Sequence, residues 1–325
     1  MRAAQYDRYG PPEVLHITEV PVPEAKPGQV LVEVRASSAG AGEGAIRAGK
    51  LRRVTRGSFP RGVGNDFVGV VARTGTGVDG LRVGDAVWGL MPHGTFGAIA
   101  DYVVVPASRL ALAPKNLSVL DAAALPVSGT TVLTALTQRA RLTTGERLLV
   151  RGATGGVGSI AVQLGKALGA HVTALAGARN LDWVRELGAD TALDYRTTRP
   201  ADLDPFDVIL DAVGTDMGPY RTRLTRHGRI VELAFDEDHL VSSFAGLAWN
   251  AATKPRKIMA FSNNPSAERI AELTKYVESG VIRPVVDALY PMAAIAEAHR
   301  RLEAGGMRGR LVIDLQQPDP DPLGP

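Results

Sequence analysis

Hydrophobic and polar positions alternate along the first hundred residues, and further along the period changes. In GQVLVEVRAS, Val30, Val32, Val34 and Ala36 fall on one face, with Glu33 and Arg35 among the residues on the other. That period of two is expected of a half-buried strand. The runs FVGVVART, DAVWGL and ADYVVVP follow, separated by glycine-rich turns, and predict a compact β-barrel or sandwich. Near residue 119 the texture changes, because SVLDAAALPVSGTTVLTALTQRA supplies long stretches of helix-forming and small residues. Beyond it, RLLVRGA, HVTALAG, FDVILDAVG and GRIVELA read as strands, and VGSIAVQLGKALG and NLDWVRELGA read as helices. Strand–helix units of this length force parallel neighbours joined by right-handed crossovers, which predicts an α/β fold with a doubly wound sheet. The helix AERIAELTKYVESG, the segment IRPVVDALYP and the strand RGRLVIDL either extend this second domain or return to the first. The tail QQPDPDPLGP, with four prolines in ten residues, reads as disordered.

Composition narrows the function. A chain of 325 residues with 45% hydrophobic content exceeds what one core usually organises, so two domains are expected. An aromatic share of 5% argues against stacking surfaces for single-stranded nucleic acid. The 37 Lys and Arg are interspersed with 34 Asp and Glu, which argues against bulk attraction to nucleic acid or anionic membrane. No stretch of 18 apolar residues is present, and MRAAQYDRYG lacks the apolar core of a signal peptide, so a soluble cytoplasmic protein is expected. The absence of cysteine excludes disulfides, thiolate nucleophiles and any cysteine-held zinc or iron–sulfur centre. The six histidines show no HxH or HExxH spacing, and no metal site is predicted.

Residues 152–158, GATGGVG, follow the apolar run Leu148-Leu149-Val150. They match the dinucleotide fingerprint GxGxxG with its first glycine replaced, as Ala153-x-Gly155-x-x-Gly158, between a strand and a helix. Gly155 would let the backbone approach a pyrophosphate, in a turn where positive φ is open to glycine. Gly158 would let the helix pack closely on the strand. The N–H groups of Gly156, Val157 and Gly158 would then face negative charge at the helix start. About twenty residues on, where an NAD enzyme usually offers Asp or Glu to the ribose, this chain reads Ala176-Gly177-Ala178-Arg179-Asn180. No carboxylate repels a 2′-phosphate and Arg179 could bind one, so NADPH is the predicted cofactor; otherwise Arg179 is a solvated residue at a helix start.

The glycine turn, the strand ending AGARN, the run RELGADTALDY, the opening PPEVLHITEVPVPEAKPGQVLVEVRASS and the close RGRLVIDL together resemble the zinc-independent, quinone oxidoreductase-like branch of the medium-chain dehydrogenase/reductases. The resemblance spans residues 1–315. It implies a GroES-like β-rich catalytic domain, residues 1–118 with 265–315, interrupted by a Rossmann NADP-binding domain at 119–264. Residues 316–325 form the tail. It implies a cleft between domains where nicotinamide meets substrate, and a homodimer. Zinc-dependent relatives place a cysteine after the strand matching LVEVRAS and a Gly-His-Glu motif ahead of VGVV; here Ser37-Ser38-Ala39-Gly40 and Gly64-Asn65-Asp66 stand in those places. Many quinone reductase relatives carry Asn-Pro-x-Asp where this chain has Gly40-Ala41-Gly42-Glu43, which widens the pocket or makes it less polar and leaves Glu43 a structural residue.

The resemblance therefore implies hydride transfer from NADPH to a quinone or an α,β-unsaturated carbonyl without zinc. The alternatives are a zinc-free alcohol/carbonyl or pathway-specific enoyl reductase, and a non-catalytic, crystallin-like NADPH-binding protein. Thr130, in LPVSGTTVLTAL, is expected either near the nicotinamide amide or as a helix cap. Tyr195 resembles a family tyrosine near the adenosine phosphate, with a core or surface role as the alternative. Val213, Gly214, Leu233 and Ala234 end strands at the carboxyl edge of the sheet, where ligands bind. Gly40, Asp66 and Phe96 are the substrate-side candidates, with Asp66 also readable as a buried loop organiser. His93 reads first as an ordinary loop histidine. No proton donor is assigned.

Overall fold

A computed structural model describes residues 1–52, 58–233 and 258–317. In chain order the first strands are β1 (Arg2–Tyr6), β2 (His16–Glu19), β3 (Gln29–Ala39), β4 (Arg61–Gly62), β5 (Asp66–Thr74), β6 (Ala86–Leu90), β7 (Tyr102–Pro106) and β8 (Leu110–Leu112). A parallel set follows: β9 (Arg147–Arg151), β10 (His171–Ala176), β11 (Thr191–Asp194), β12 (Phe206–Asp211), β13 (Leu224–Glu232) and β14 (Ile258–Ala260). The last two are β15 (Val286–Pro291) and β16 (Arg310–Asp314).

The alternation in GQVLVEVRAS becomes β3, which buries Val30, Val32, Val34 and Ala36 and leaves Glu33 and Arg35 half-buried. β3 is antiparallel to β5, β7 and β16 within a sheet ordered β15-β16-β3-β5-β6-β8. A smaller sheet, β2-β1-β4, completes the β-rich unit. Its core includes Val30, Val32, Phe67, Val87, Ile99, Leu311 and Ile313, all fully buried. Each such side chain contributes roughly 1.5–3 kcal/mol of burial. Because Leu311 and Ile313 come from the far end of the chain, this core cannot close without the C-terminal segment.

The second sheet runs β11-β10-β9-β12-β13-β14, with every pair parallel. Leu148, Leu149 and Val150 of β9 are completely buried, as expected of a central parallel strand covered on both faces. β9 pairs with β10 on one side and β12 on the other, so the strand order reverses direction at β9. That is the topological switch point where ligands bind in such sheets.

The chain divides into two compact units, residues 1–130 with 264–280 and 284–325, and residues 131–263 with 281–283. The sequence texture changes at 119, ahead of the structural boundary. The helix Val119–Ala123 buries Ala122 and Ala123 and packs on β3, β5 and β16, so it belongs to the first unit. The helix Ala267–Glu278 goes with the same unit: Trp88 Nε1 donates to Thr274 Oγ1 at 3.1 Å, and Arg109 donates to the Pro265 carbonyl at 2.8 Å. Residues 281–283 join the second unit, where the Arg283 amide donates to Gln163 Oε1 at 2.9 Å. Most of the expected tail, residues 318–325, lies outside the described residues.

Candidate functional site

The second unit supplies the more complete site. β9 ends at Arg151, and Gly152 takes φ +73°, a left-handed conformation that favours glycine. Positive φ was expected at Gly155; the structure puts it at Gly152, where the chain turns off the strand, while Gly155 has φ −73° and ψ 173°. Gly155 is the N-cap of the helix Gly156–Ala167, and no side chain caps it. The first helical hydrogen bond runs from the Ser159 amide to the Gly155 carbonyl. The amides of Gly156, Val157 and Gly158 ahead of it find no acceptor among the described residues. Amides at a helix N-terminus, beside the positive end of its dipole, suit an anion.

The two later glycines of the turn do different work. A Cβ on Gly158 would collide with the Gly152 carbonyl and with Ala153, so this glycine permits the close helix–strand approach. Among the described residues, a Cβ on Gly155 would meet only the Gly152 oxygen, at 3.7 Å. Those residues leave the space over Gly155 open, as a pyrophosphate requires. The residues present fit a dinucleotide on both counts.

At the end of β10 the turn Ala178–Asn180 carries Arg179, exposed, and no acidic side chain. Tyr195, 51% exposed, follows β11, and the Arg196 guanidinium lies 4.7 Å from its ring centroid. Arg196 Nη1 would be 2.9 Å from a Cβ on Gly177, so it reaches across to the end of β10. Sequence reasoning missed Arg196; the signal was its place directly after Tyr195 in LDYR. The structure thus brings Arg179, Tyr195 and Arg196 to one edge, on the ends of two neighbouring strands.

Val213 is 44% exposed beside the glycine turn, and Gly214 has φ +86°. Their amides are turned inward, both donating to the Asp211 carboxylate at 3.1 Å, so they offer no donors to a ligand. Leu233 follows β13 and its amide donates to the Asp211 carbonyl at 2.8 Å; Ala234 lies outside the described residues. Thr130 departs from the expectation of a helix cap. It stands inside the helix Pro126–Leu133 rather than at its start, fully buried, with its hydroxyl donating to the Pro126 carbonyl at 2.5 Å.

In the first unit, Gly40 and Asp66 come together with Ser38, Glu43, Val127 and Arg310. Asp66 is fully buried and accepts from the Ser38 amide at 3.2 Å, the Ser38 hydroxyl at 2.7 Å and the Val127 amide at 3.1 Å. Burial raises its pKa, opposed by Arg310, whose Nη2 lies 3.9 Å away. This is the loop organiser, not an exposed acid. Arg310 also donates to Ser38 Oγ, and its guanidinium fills the place where a side chain on Gly40 would start. Glu43, on the helix Ala41–Arg47, accepts from the Gly64 amide at 3.0 Å. Desolvation pushes its pKa up to about 7, against the pull of Arg310. Phe96 is half-buried and His93 exposed in the loop after β6.

Among the described residues no group of three or more His, Cys, Asp or Glu could hold a metal ion, and no helix is long and apolar enough to cross a membrane. The first unit is thus a mostly antiparallel β unit, and the second a parallel sheet with its switch point at β9. Residues 26–115 match the alcohol dehydrogenase GroES-like domain, and residues 187–313 match the zinc-binding dehydrogenase family. The chain is 32% identical to the chloroplastic quinone-oxidoreductase homolog of Spinacia oleracea, over 97% of this chain and 98% of that one. It is also 32% identical to the chloroplastic NADPH-dependent alkenal/one oxidoreductase of Arabidopsis thaliana, over 96% and 79%. The solved quinone oxidoreductase from Coxiella burnetii superposes with a TM-score of 0.87 at 30% identity, covering 97% of this chain and 99% of its own. The chain belongs to the medium-chain dehydrogenase/reductase family, in its quinone oxidoreductase-like branch.

Proposed function

We propose that this oxidoreductase uses NADPH to reduce a quinone or an α,β-unsaturated carbonyl, without zinc. The observation that carries the cofactor choice is the edge formed by β10 and β11: Arg179 and Arg196 stand there, and the turn after β10 holds no carboxylate to repel a 2′-phosphate. The amides of Gly156, Val157 and Gly158 would hold the pyrophosphate over the open face of Gly155. When bound, the nicotinamide supplies hydride, and the protein's part is to bind and orient. Negative charge then develops on the acceptor's oxygen and must be met by a hydrogen-bond donor or by solvent. The relatives' names support a quinone or enone acceptor. Zinc independence is supported by the absence of cysteine and by Ser37-Ser38-Ala39-Gly40 and Gly64-Asn65-Asp66, which stand where zinc-dependent relatives carry their cysteine and their Gly-His-Glu motif. A second copy of the chain is the expected partner, checked by light scattering.

The test is cofactor consumption against a panel of quinones, enals, enones and simple ketones, with NADPH and NADH in parallel and after exhaustive chelation. Oxidation of NADPH by quinones or enones that survives chelation is the expected outcome. Turnover of simple ketones alone, a preference for NADH, or loss of activity with a stoichiometric metal would overturn the corresponding part. Cofactor binding without turnover of any acceptor would favour a non-catalytic, crystallin-like role.

A further inference from the structure

The residue before the glycine turn is a buried arginine. Arg151 ends β9 at 5% exposure, and its Nη1 donates to Asp211 Oδ1 at 2.9 Å, from the end of the neighbouring strand β12. Its Nη2 donates to the Thr215 carbonyl at 2.8 Å, and the guanidinium lies 4.1 Å from the Tyr220 ring centroid. Asp211, 1% exposed, is thereby held where both its oxygens accept backbone amides, Oδ1 from Val213 and Oδ2 from Gly214. The bent loop 212–215 therefore presents its donors inward and its apolar side chain outward. Val213 is one of eight large hydrophobic side chains exposed among the described residues, and its Cγ2 would be 3.2 Å from a Cβ on Gly152.

We propose that Arg151 is a positioning residue for the dinucleotide site: it fixes Asp211, which fixes loop 212–215, so that Val213 forms an apolar wall beside the glycine turn. The proposal rests on the reading of that turn as a nicotinamide dinucleotide site. A bare carboxylate could not do this alone. Asp211 is buried, and burial raises its pKa; Arg151 and the two amides oppose that rise. A second carboxylate, Glu232, ends β13 nearby, is itself buried, and is paired with Arg221 at 3.2 Å. Without Arg151 the two acids would face a single cation, and the neutral, protonated form of Asp211 would gain ground. A protonated carboxyl needs an acceptor for its own proton and offers poorer acceptance to the two amides. Thr215 would lose its donor at the same moment, so both ends of the loop would be released.

The experiment uses the full chain as Arg151→Met and Arg151→Lys, with two readouts. The first is hydrogen exchange without ligand. Exchange at the Val213 and Gly214 amides should rise at least tenfold in Arg151→Met, while the amides inside β9 and β10 keep their protection. The second is fluorescence titration with NADPH and NADH. Both dissociation constants should rise about tenfold and together, since the wall is indifferent to the 2′-phosphate, with KM for the cofactor raised and kcat within about twofold. Arg151→Lys keeps the charge but cannot reach Asp211 and Thr215 at once, and should fall between. It carries both readouts should Arg151→Met fail to fold. Loop amides that exchange as in the wild type, or unchanged dissociation constants in a variant whose loop is released, would overturn the proposal. A wild-type protein that binds neither cofactor would instead overturn the dinucleotide reading, while the exchange measurement still decides whether Arg151 holds the loop.

Discussion

Removing the charge from Glu43 should stabilise the protein in a pH-dependent way whose size follows from the site. Glu43 is 8% exposed, accepts from the Gly64 amide, and among the described residues shares its surroundings with Asp66 and the Arg310 cation. Desolvation raises its pKa from 4.5 to about 7. Between those values the native state holds the proton more tightly than the unfolded chain, so stability is intact below 4.5 and falls as pH rises. At about 1.4 kcal/mol per pH unit, the penalty reaches about 3 kcal/mol above pH 7. Glu43→Gln keeps an oxygen for the Gly64 amide and removes the titration. Relative to wild type it should gain about 2 kcal/mol at pH 6 and about 3 at pH 8, with less than about 1 at pH 5. Urea unfolding at the three pH values measures this. A gain that is the same at pH 5 and pH 8 would show that Glu43 does not titrate in this window, and the burial argument would fail with it.

The remaining predictions concern a buried histidine and the cofactor site. His299 is fully buried with neither ring nitrogen bonded, and desolvation, with Arg47 beside it, lowers its pKa from 6.5 to about 4. Stability should be undisturbed above pH 6.5 and lost as pH falls, by about 2 kcal/mol at pH 5, and His299→Leu should abolish that dependence in the same unfolding series. Gly155→Val adds bulk at φ −73°, which valine accepts, into open space. The melting temperature should hold while NADPH affinity falls at least tenfold; unchanged affinity in fluorescence titration would mean that the turn is not the phosphate site. Arg179→Ala and Arg196→Ala should each weaken NADPH more than NADH, by roughly 1.5–3 kcal/mol where the contact is charge-assisted, and equal loss for both cofactors would refute the NADPH assignment.

What the sequence disclosed depended on the range of the interactions involved. The glycine turn was legible because its parts are local: Gly152, Gly155 and Gly158 act within one strand–turn–helix unit, and only the position of positive φ had to be moved. β3 was legible because burial on one face imposes a period of two on consecutive residues. The strands β11 and β14 were not anticipated, being only four and three residues long at or next to the sheet edges. The cap alternative for Thr130 failed because the same threonine serves equally well as a cap or as a back-bonded residue within a helix, and only the helix bounds decide between those two.

The cluster on the first unit shows the harder case. Asp66 was singled out as a possible organiser, yet what it organises comes from Ser38, 28 residues away, and Val127, 61 residues away, while Arg310 bonds Ser38 across 272. No spacing rule spans such separations, because the partners are set by strand pairing: β3 lies between β5 and β16, which places Ser38 opposite Val312 and close to Asp66. Gly40 carries the same lesson. Read alone, it is a missing side chain and a wider pocket; in the fold, the volume where that side chain would begin holds the Arg310 guanidinium. The deletion of one polar group is accompanied by the arrival of another from the far end of the chain, so this region remains polar and the expectation of a less polar pocket does not follow from Gly40.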